Sequence, residues 1–219
     1  MGRIGWYIGA LALAAFVSCG DGEDILPRQQ ERIVSFLTGS HVPRLLSEQD
    51  AAQSLDNDPP YYSTFGGTTY RYIADVYDPE RLTRPEVTAG SSVEVTFSLY
   101  DFSSYSAPRQ SECIFSNDTT VINRLVEGGL NPRYWVECDI HGVPIRNEFG
   151  QFVPLSRTLR IGAGELLSGL QEALVGCREQ DEVELYMTYN QAYGEKLIVG
   201  LMTKQCPVAF LCRIDKVTK

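Results

Sequence analysis

Three segments of the chain alternate between apolar and polar residues, which is the pattern of a β-strand that is buried on one face only. In the first segment, Ser92–Tyr100, the apolar face consists of Val93, Val95, Phe97 and Leu99. Segments 183–188 and 208–214 repeat this alternation. Strands of this kind pair into an antiparallel sheet that leaves one apolar face to be covered. The chain must therefore supply an element with a matching apolar side.

One amphipathic helix between these strands can cover that face. The spacing predicts it over about 165–177, and the residues on its apolar side are Leu166, Leu167, Leu170, Leu174 and Cys177. A single helix among several antiparallel strands has to lie across the sheet to bury this side. The predicted fold class is therefore α+β, an antiparallel sheet wrapped on one short helix.

Residues 1–18 have the pattern of an export signal. Arg3 is followed by an apolar run from Ile8 to Val17, which is shorter than the roughly 20 residues of a spanning helix and typical of a signal peptide. The small residues around Cys19 resemble the lipobox of bacterial lipoproteins. We therefore expect a lipoprotein signal peptide over 1–18 and lipid attachment at Cys19. A plain secretory signal with an incidental cysteine is the alternative.

A lipid on Cys19 would anchor the protein to a membrane of the cell envelope, on the periplasmic or the surface face of the outer membrane. Residues 19–26 are acidic and rich in glycine, which predicts a flexible tether. Residues 27–88 are interpreted as an N-terminal extension that packs on the core. It holds a helix from Pro27 to Leu37 and an aromatic-rich part with a strand over 68–76. Carbohydrate binding by its tyrosines is the alternative to packing.

The charge balance excludes a nucleic-acid partner. The chain has 19 Lys and Arg against 28 Asp and Glu, and it lacks the basic run that holds a phosphate backbone. The six cysteines show no CxxC spacing, so we predict no metal site and no cofactor. In an exported protein one or two disulfides can form, for example between Cys113 and Cys138. Cys177 and Cys212 lie on apolar faces and are predicted to be buried.

The C-terminal part of the chain carries several short motifs in a fixed order. They are Ile161-Gly162-Ala163-Gly164 with the helix after it, Val183-Glu184-Leu185, Ala192-Tyr193-Gly194 and Val208-Ala209-Phe210. In this order and spacing, residues 161–217 resemble the FKBP-type peptidyl-prolyl cis-trans isomerases, and Gly90 to Leu99 is similar to the first core strand of that family. The resemblance implies an FKBP-like domain over 89–219 with an insertion at about 119–156.

The resemblance also implies a site for X-Pro segments of unfolded or client proteins. Its catalytic positions are Tyr193, which would donate a hydrogen bond to a substrate carbonyl, and Phe97. The substrate-binding positions are apolar, and they are Leu166, Leu167, Leu170, Met202, Phe210 and Phe115. Simple core packing is the alternative role for Leu166, Leu167 and Phe210.

Isomerisation of an X-Pro bond has to overcome a barrier of about 18–20 kcal/mol that comes from amide resonance. A catalyst for this rotation needs an apolar cup and a few hydrogen bonds, and it needs no acid, base or nucleophile. The chain departs from the family at Leu170, where tryptophan is usual, and at Ser116, where aspartate is usual, unless Asp118 takes that role. Two functions therefore remain open. One is a lipid-anchored isomerase that assists folding of envelope proteins, and the other is a catalytically degenerate module that binds peptides or proteins.

Overall fold

The structure is a computed structural model, and it describes residues 24–40, 45–47, 62–155, 158–161 and 167–219. The signal segment and Cys19 lie outside the described residues. The order of helices and strands along the chain is α1 (Ile25–Ser40), β1 (Leu45–Ser47), β2 (Tyr62–Phe65), β3 (Thr69–Ile73), β4 (Ser92–Asp101), β5 (Cys113–Ser116), α2 (Thr119–Glu127), β6 (Thr158–Arg160), α3 (Ser168–Ala173), β7 (Glu182–Met187) and β8 (Val208–Thr218).

The strands form one sheet in the order β1-β2-β3-β7-β8-β4-β5, with β6 paired to β4. β1 runs parallel to β2, and the other pairs are antiparallel. The long pair β4 and β8 extends from Ser92 opposite Thr218 to Asp101 opposite Val208, with a shift in register between Glu94 and Val95. The α+β fold predicted from the alternating segments is confirmed, because each of these segments is a strand of this sheet.

Helix α3 covers one face of the sheet and is shorter than predicted. Leu167 caps its N-terminus with an extended backbone (φ −54°, ψ 136°), so the helix begins at Ser168 rather than near 165. It lies very close to the strands at Gly169. A Cβ atom at this position would be 2.6 Å from Met187 Sδ and 2.8 Å from Thr69 Oγ1. The absence of a side chain at Gly169 is what allows this contact.

Helix α1 covers part of the opposite face. Its Ile33 and Leu37 are fully buried. They pack with Tyr62, Tyr70 and Tyr186 of the strands and with Phe102, which directly follows β4. Tyr62 and Tyr70 are therefore core residues of this face, as the packing interpretation of the aromatic stretch expects. Strand β3 is shorter than the predicted 68–76, because the chain turns after Ile73.

Residues 119–155 hold a small apolar cluster of their own. Helix α2 begins this region, and three short extended segments follow that exchange main-chain hydrogen bonds, for example Glu137 N to Val153 O at 2.8 Å and Ile145 N to Glu137 O at 2.8 Å. The buried residues of this insertion cluster are Cys113, Ile122, Leu125, Trp135, Val136 and Phe152. Cys113 belongs to β5, so the cluster is built directly against the sheet.

The cysteines of the described residues are free thiols. The structure therefore does not support the disulfide between Cys113 and Cys138. Cys177 and Cys212 are buried, with exposed fractions of 0% and 8%, as predicted from their apolar faces. Of the helices within the described ranges, none has both the length and the apolar character that crossing a membrane requires.

Candidate functional site

Three phenylalanine rings from neighbouring strands form a stack on the α3 face of the sheet. Phe97 of β4 is the middle ring, with its centroid 5.7 Å from that of Phe115 on β5 and 4.9 Å from that of Phe210 on β8. Both pairs are close to parallel, at 25° between ring planes. The alternation of strand side chains places all three rings on one face. The sequence selected these three residues, and the structure brings them into direct contact.

The other predicted residues within the described ranges contact the same apolar core. Leu170 and Met202 are buried, with exposed fractions of 5% and 3%, whereas Leu167 and Tyr193 are half-buried. Leu166 lies outside the described residues. Phe97 and Phe210 are 8% and 2% exposed, and Phe115 is half-buried. Of the predicted residues within the described ranges, Phe115, Leu167 and Tyr193 are therefore the ones that keep partly exposed side chains.

Tyr193 lies on a loop between β7 and β8, residues 189–205, which we call the site loop. A 3-10 turn, Tyr189–Gln191, begins it. Gly194 N then donates to Tyr189 O at 2.8 Å, and Gln205 N donates to Gly194 O at 3.0 Å. Gly194 has a positive φ of 59°, which glycine adopts without steric cost. The turn and the closing bond at Gly194 fix the main chain on both sides of Tyr193.

Neither Ser116 nor Asp118, the two candidates for the position where the family has aspartate, supplies a carboxylate beside the rings. Ser116 is fully buried, and its hydroxyl donates to Phe97 O at 2.9 Å. Asp118 caps α2, where its Oδ1 accepts a hydrogen bond from Thr120 N at 2.8 Å. It borders a cleft of about 390 Å³ together with Thr96 and Ser98. These two β4 residues alternate with Phe97, so Asp118 lies on the opposite face of the sheet from the stack.

Asn117 has a role that the sequence did not reveal. Its Oδ1 accepts from Phe97 N at 2.6 Å, and its Nδ2 donates to Val95 O at 2.6 Å. The amide thus extends the pairing of β5 with β4 by one residue beyond Ser116. These bonds hold the main chain of Phe97 in place, and no spacing or motif in the sequence indicates them.

The insertion cluster adjoins the candidate site. Phe115 and Leu201 each pack against both the main core and the insertion cluster. Phe115 is the outer ring of the stack, and Leu201 belongs to the site loop. The insertion therefore forms one side of the site. The sequence did not predict the contact with Leu201, because this residue lies about 50 positions after the insertion along the chain.

The chemistry of the site is apolar. Behind Phe115, burial raises the pKa of the Cys113 thiol to about 12, so this thiol stays protonated near neutral pH. In the part of the chain that the structure describes, no three His, Cys, Asp or Glu side chains lie together as a metal site would need. The arrangement can receive an apolar ring against Phe115 and Leu167, and it carries a phenol at Tyr193 that can donate to a carbonyl.

Comparison with known proteins finds similarity among solved structures only. No family model and no curated protein matches the chain. Among solved structures, a peptidyl-prolyl cis-trans isomerase from Pseudomonas syringae pv. tomato is similar over 90% of this chain and 96% of its own, with 14% sequence identity and a TM-score of 0.45.

Proposed function

We propose that the chain binds X-Pro segments of proteins in an FKBP-like site and accelerates their cis-trans isomerisation. The observation that carries the proposal is the stack of Phe115, Phe97 and Phe210 with Tyr193 and Leu167 on the same core. A proline ring is apolar and packs well on aromatic faces. The motif order that resembles the FKBP-type isomerases selected these residues independently of the structure.

The reaction fits a site without charged groups. Twisting the X-Pro amide removes its resonance, and an apolar environment favours the twisted amide because that state is less polar than the planar one. Phe115 and Leu167 would hold the proline, and Tyr193 would donate a hydrogen bond to a carbonyl of the peptide. Each contact positions the substrate, and no proton needs to be transferred to or from it.

The cell envelope is the proposed location. The support is the sequence of residues 1–26, with its short apolar run, Cys19 and acidic tether. A lipid at Cys19 would anchor the domain at a membrane surface through buried methylenes, each worth about 0.8 kcal/mol. An isomerase needs no ATP, so it can assist folding in that compartment. Incorporation of a radiolabelled fatty acid by the full chain, and its loss in Cys19→Ala, tests this part of the proposal.

The isomerase proposal is tested with an Ala-Leu-Pro-Phe peptide, whose cis-trans exchange is followed by NMR at micromolar protein. We expect exchange above the uncatalysed rate, reduced about tenfold in Tyr193→Phe because one hydrogen bond to the substrate is lost. Tyr134→Phe is the matched control, since Tyr134 is 45% exposed and belongs to the insertion. An uncatalysed rate with the wild-type protein contradicts the proposal.

One observation favours a second function, binding without catalysis. Phe97, Phe210, Leu170 and Met202 are between 2% and 8% exposed, and Ser116 leaves the site without the carboxylate that the family usually has. A peptide would then bind on the rim of Phe115, Leu167 and Tyr193 without entering a cup. Chemical-shift changes of these residues on peptide addition, without faster exchange of the peptide, would identify this function.

A further inference from the structure

Gln29 of helix α1 is a buried polar residue at a position that the helix pattern reserves for apolar ones. Residues 29, 33 and 37 are spaced by four and lie on one side of the helix, and Ile33 and Leu37 are fully buried there. Gln29 is only 4% exposed. A buried amide costs free energy unless its donor and acceptor both find partners, so this position calls for an explanation.

The partners of Gln29 are the two ends of the site loop. Its Oε1 accepts a hydrogen bond from Tyr189 N at 2.9 Å, and its Nε2 donates to Gln205 O at 2.8 Å. Both partners are main-chain groups, more than 150 residues away along the chain. One side chain therefore connects the first and the last residue of the loop that carries Tyr193.

Gln205 also forms hydrogen bonds with the two residues that follow Tyr193. Its main-chain N donates to Gly194 O at 3.0 Å, and its side chain donates from Nε2 to Glu195 Oε1 at 2.7 Å. Gln205 has a φ of 55°, in the left-handed region that a residue with a side chain adopts only when its surroundings hold it there. The bond from Gln29 is one of the contacts that hold it.

We propose that Gln29 is a positioning residue, which holds the site loop closed and thereby sets the place of Tyr193. A loop with few buried side chains opens locally unless its main chain is held. Gln29 supplies that restraint from helix α1, outside the strands and the loop that form the site. The role assigned to the loop rests on the proposed function, whereas the restraint itself can be measured without any activity.

A loop that is closed for only part of the time binds substrate in proportion to that fraction. Loss of Gln29 should therefore raise KM for the peptide and leave kcat nearly unchanged, since the closed loop is still the state that reacts. A general loss of structure would instead lower the fraction of folded, active protein and therefore the apparent kcat. The division between KM and kcat separates positioning from a merely structural role.

The test compares Gln29→Met with Gln30→Met. Methionine has nearly the volume of glutamine and makes neither hydrogen bond. Gln30 is the matched control, because its Nε2 also donates to a main-chain carbonyl, that of Gly67 at 2.7 Å, away from the site loop. Gln29→Glu is the second variant. It keeps the acceptor for Tyr189 N and loses the donor to Gln205 O, so it should free the Gln205 end alone.

Amide hydrogen exchange is measured by NMR for Gly194 and Gln205 in each variant, followed by peptide kinetics. We expect exchange at these amides to be at least tenfold faster in Gln29→Met, with KM raised about tenfold, and both unchanged in Gln30→Met. Unchanged exchange in Gln29→Met overturns the inference, as does faster exchange with an unchanged KM. A wild-type protein without isomerase activity, in which Gln29→Met still frees the loop, contradicts the proposed function and leaves the restraint established.

Discussion

Arg71 Nη1 donates a hydrogen bond to the carbonyl oxygen of Ala173 at 2.7 Å, which ties strand β3 to the end of helix α3. The same nitrogen donates to Val175 O at 2.7 Å. The last carbonyls of a helix have no partner within it, and a positive charge is favoured at that end. A helix of six residues is too short to be stable by itself, so this contact is one reason that α3 persists.

Replacing Arg71 by methionine should destabilise the protein. Hydrogen bonds to a charged donor contribute about 1.5–3 kcal/mol each, and we expect the free energy of unfolding to fall by about 2–3 kcal/mol in urea titrations. Arg71→Lys should recover part of this loss, because the positive charge remains, whereas the lysine ammonium lacks the fixed planar donor geometry of the guanidinium. A loss equal to that of the methionine variant would show that the charge at the helix end contributes nothing.

Gly169→Ala should be destabilising, although alanine normally favours a helix over glycine by about 1 kcal/mol. The new Cβ atom would be 2.6 Å from Met187 Sδ and 2.8 Å from Thr69 Oγ1, and forcing it into this packed contact costs about 1–3 kcal/mol. Gly39→Ala in α1 is the control, because nothing lies within 4 Å of its Cβ position. In urea titrations the control should be neutral or slightly stabilised, and a stabilised Gly169→Ala would contradict the close contact.

Much of the fold follows from local pattern. The alternation predicts a strand over Ser92–Tyr100, and the structure has β4 at Ser92–Asp101. The short helix α3 is less predictable, because its leucine spacing continues beyond both ends. The helix begins only after Leu167, whose backbone is extended, and the spacing of the leucines does not indicate this start. The buried ion pair of Arg81 with Asp181, at 2.7 Å, likewise joins residues that are 100 positions apart.

The sequence indicates those residues of the candidate site that belong to a motif. Phe97, Phe210 and Tyr193 stand in segments whose order resembles a known family, and the first two prove to be stacked neighbours. Gln29 and Asn117 belong to no motif, and their importance comes from the main-chain groups that they contact. Gln29 did leave a local signal, since it is a polar residue in line with Ile33 and Leu37 on the apolar side of α1.

The buried thiols should resist alkylation in the folded protein. Burial raises the pKa of Cys113 and of Cys206 to about 12, so only about one molecule in 10,000 holds either as thiolate at pH 8. Cys138 is half-buried and should react first with iodoacetamide, as peptide mass mapping would show. Cys138→Ala should remove this early label, and equally fast labelling of Cys113 in native protein would contradict its burial.

Stability should fall as the pH rises above about 9. The Cys113 and Cys206 thiols titrate near 9 when unfolded and near 12 when folded, so folding favours their protonated forms. This contribution is fully present below pH 9 and is lost between about 9 and 12, at up to about 1.4 kcal/mol per pH unit for each thiol. Burial also raises the pKa of Tyr70, whose effect has the same sign.

Urea titrations at pH 8, 9, 10 and 11 measure this slope. The wild-type protein should lose several kcal/mol of unfolding free energy between pH 9 and 11. The double variant Cys113→Ala/Cys206→Ala starts less stable at pH 8, because two buried side chains are shortened. Its stability should decline less steeply and leave the contributions of Cys177, Cys212 and the tyrosines, since burial raises the pKa of these groups too. Parallel curves for the two proteins would mean that neither thiol is held protonated by the fold. A crossing or converging pair of curves assigns the difference in alkaline slope to these two cysteines.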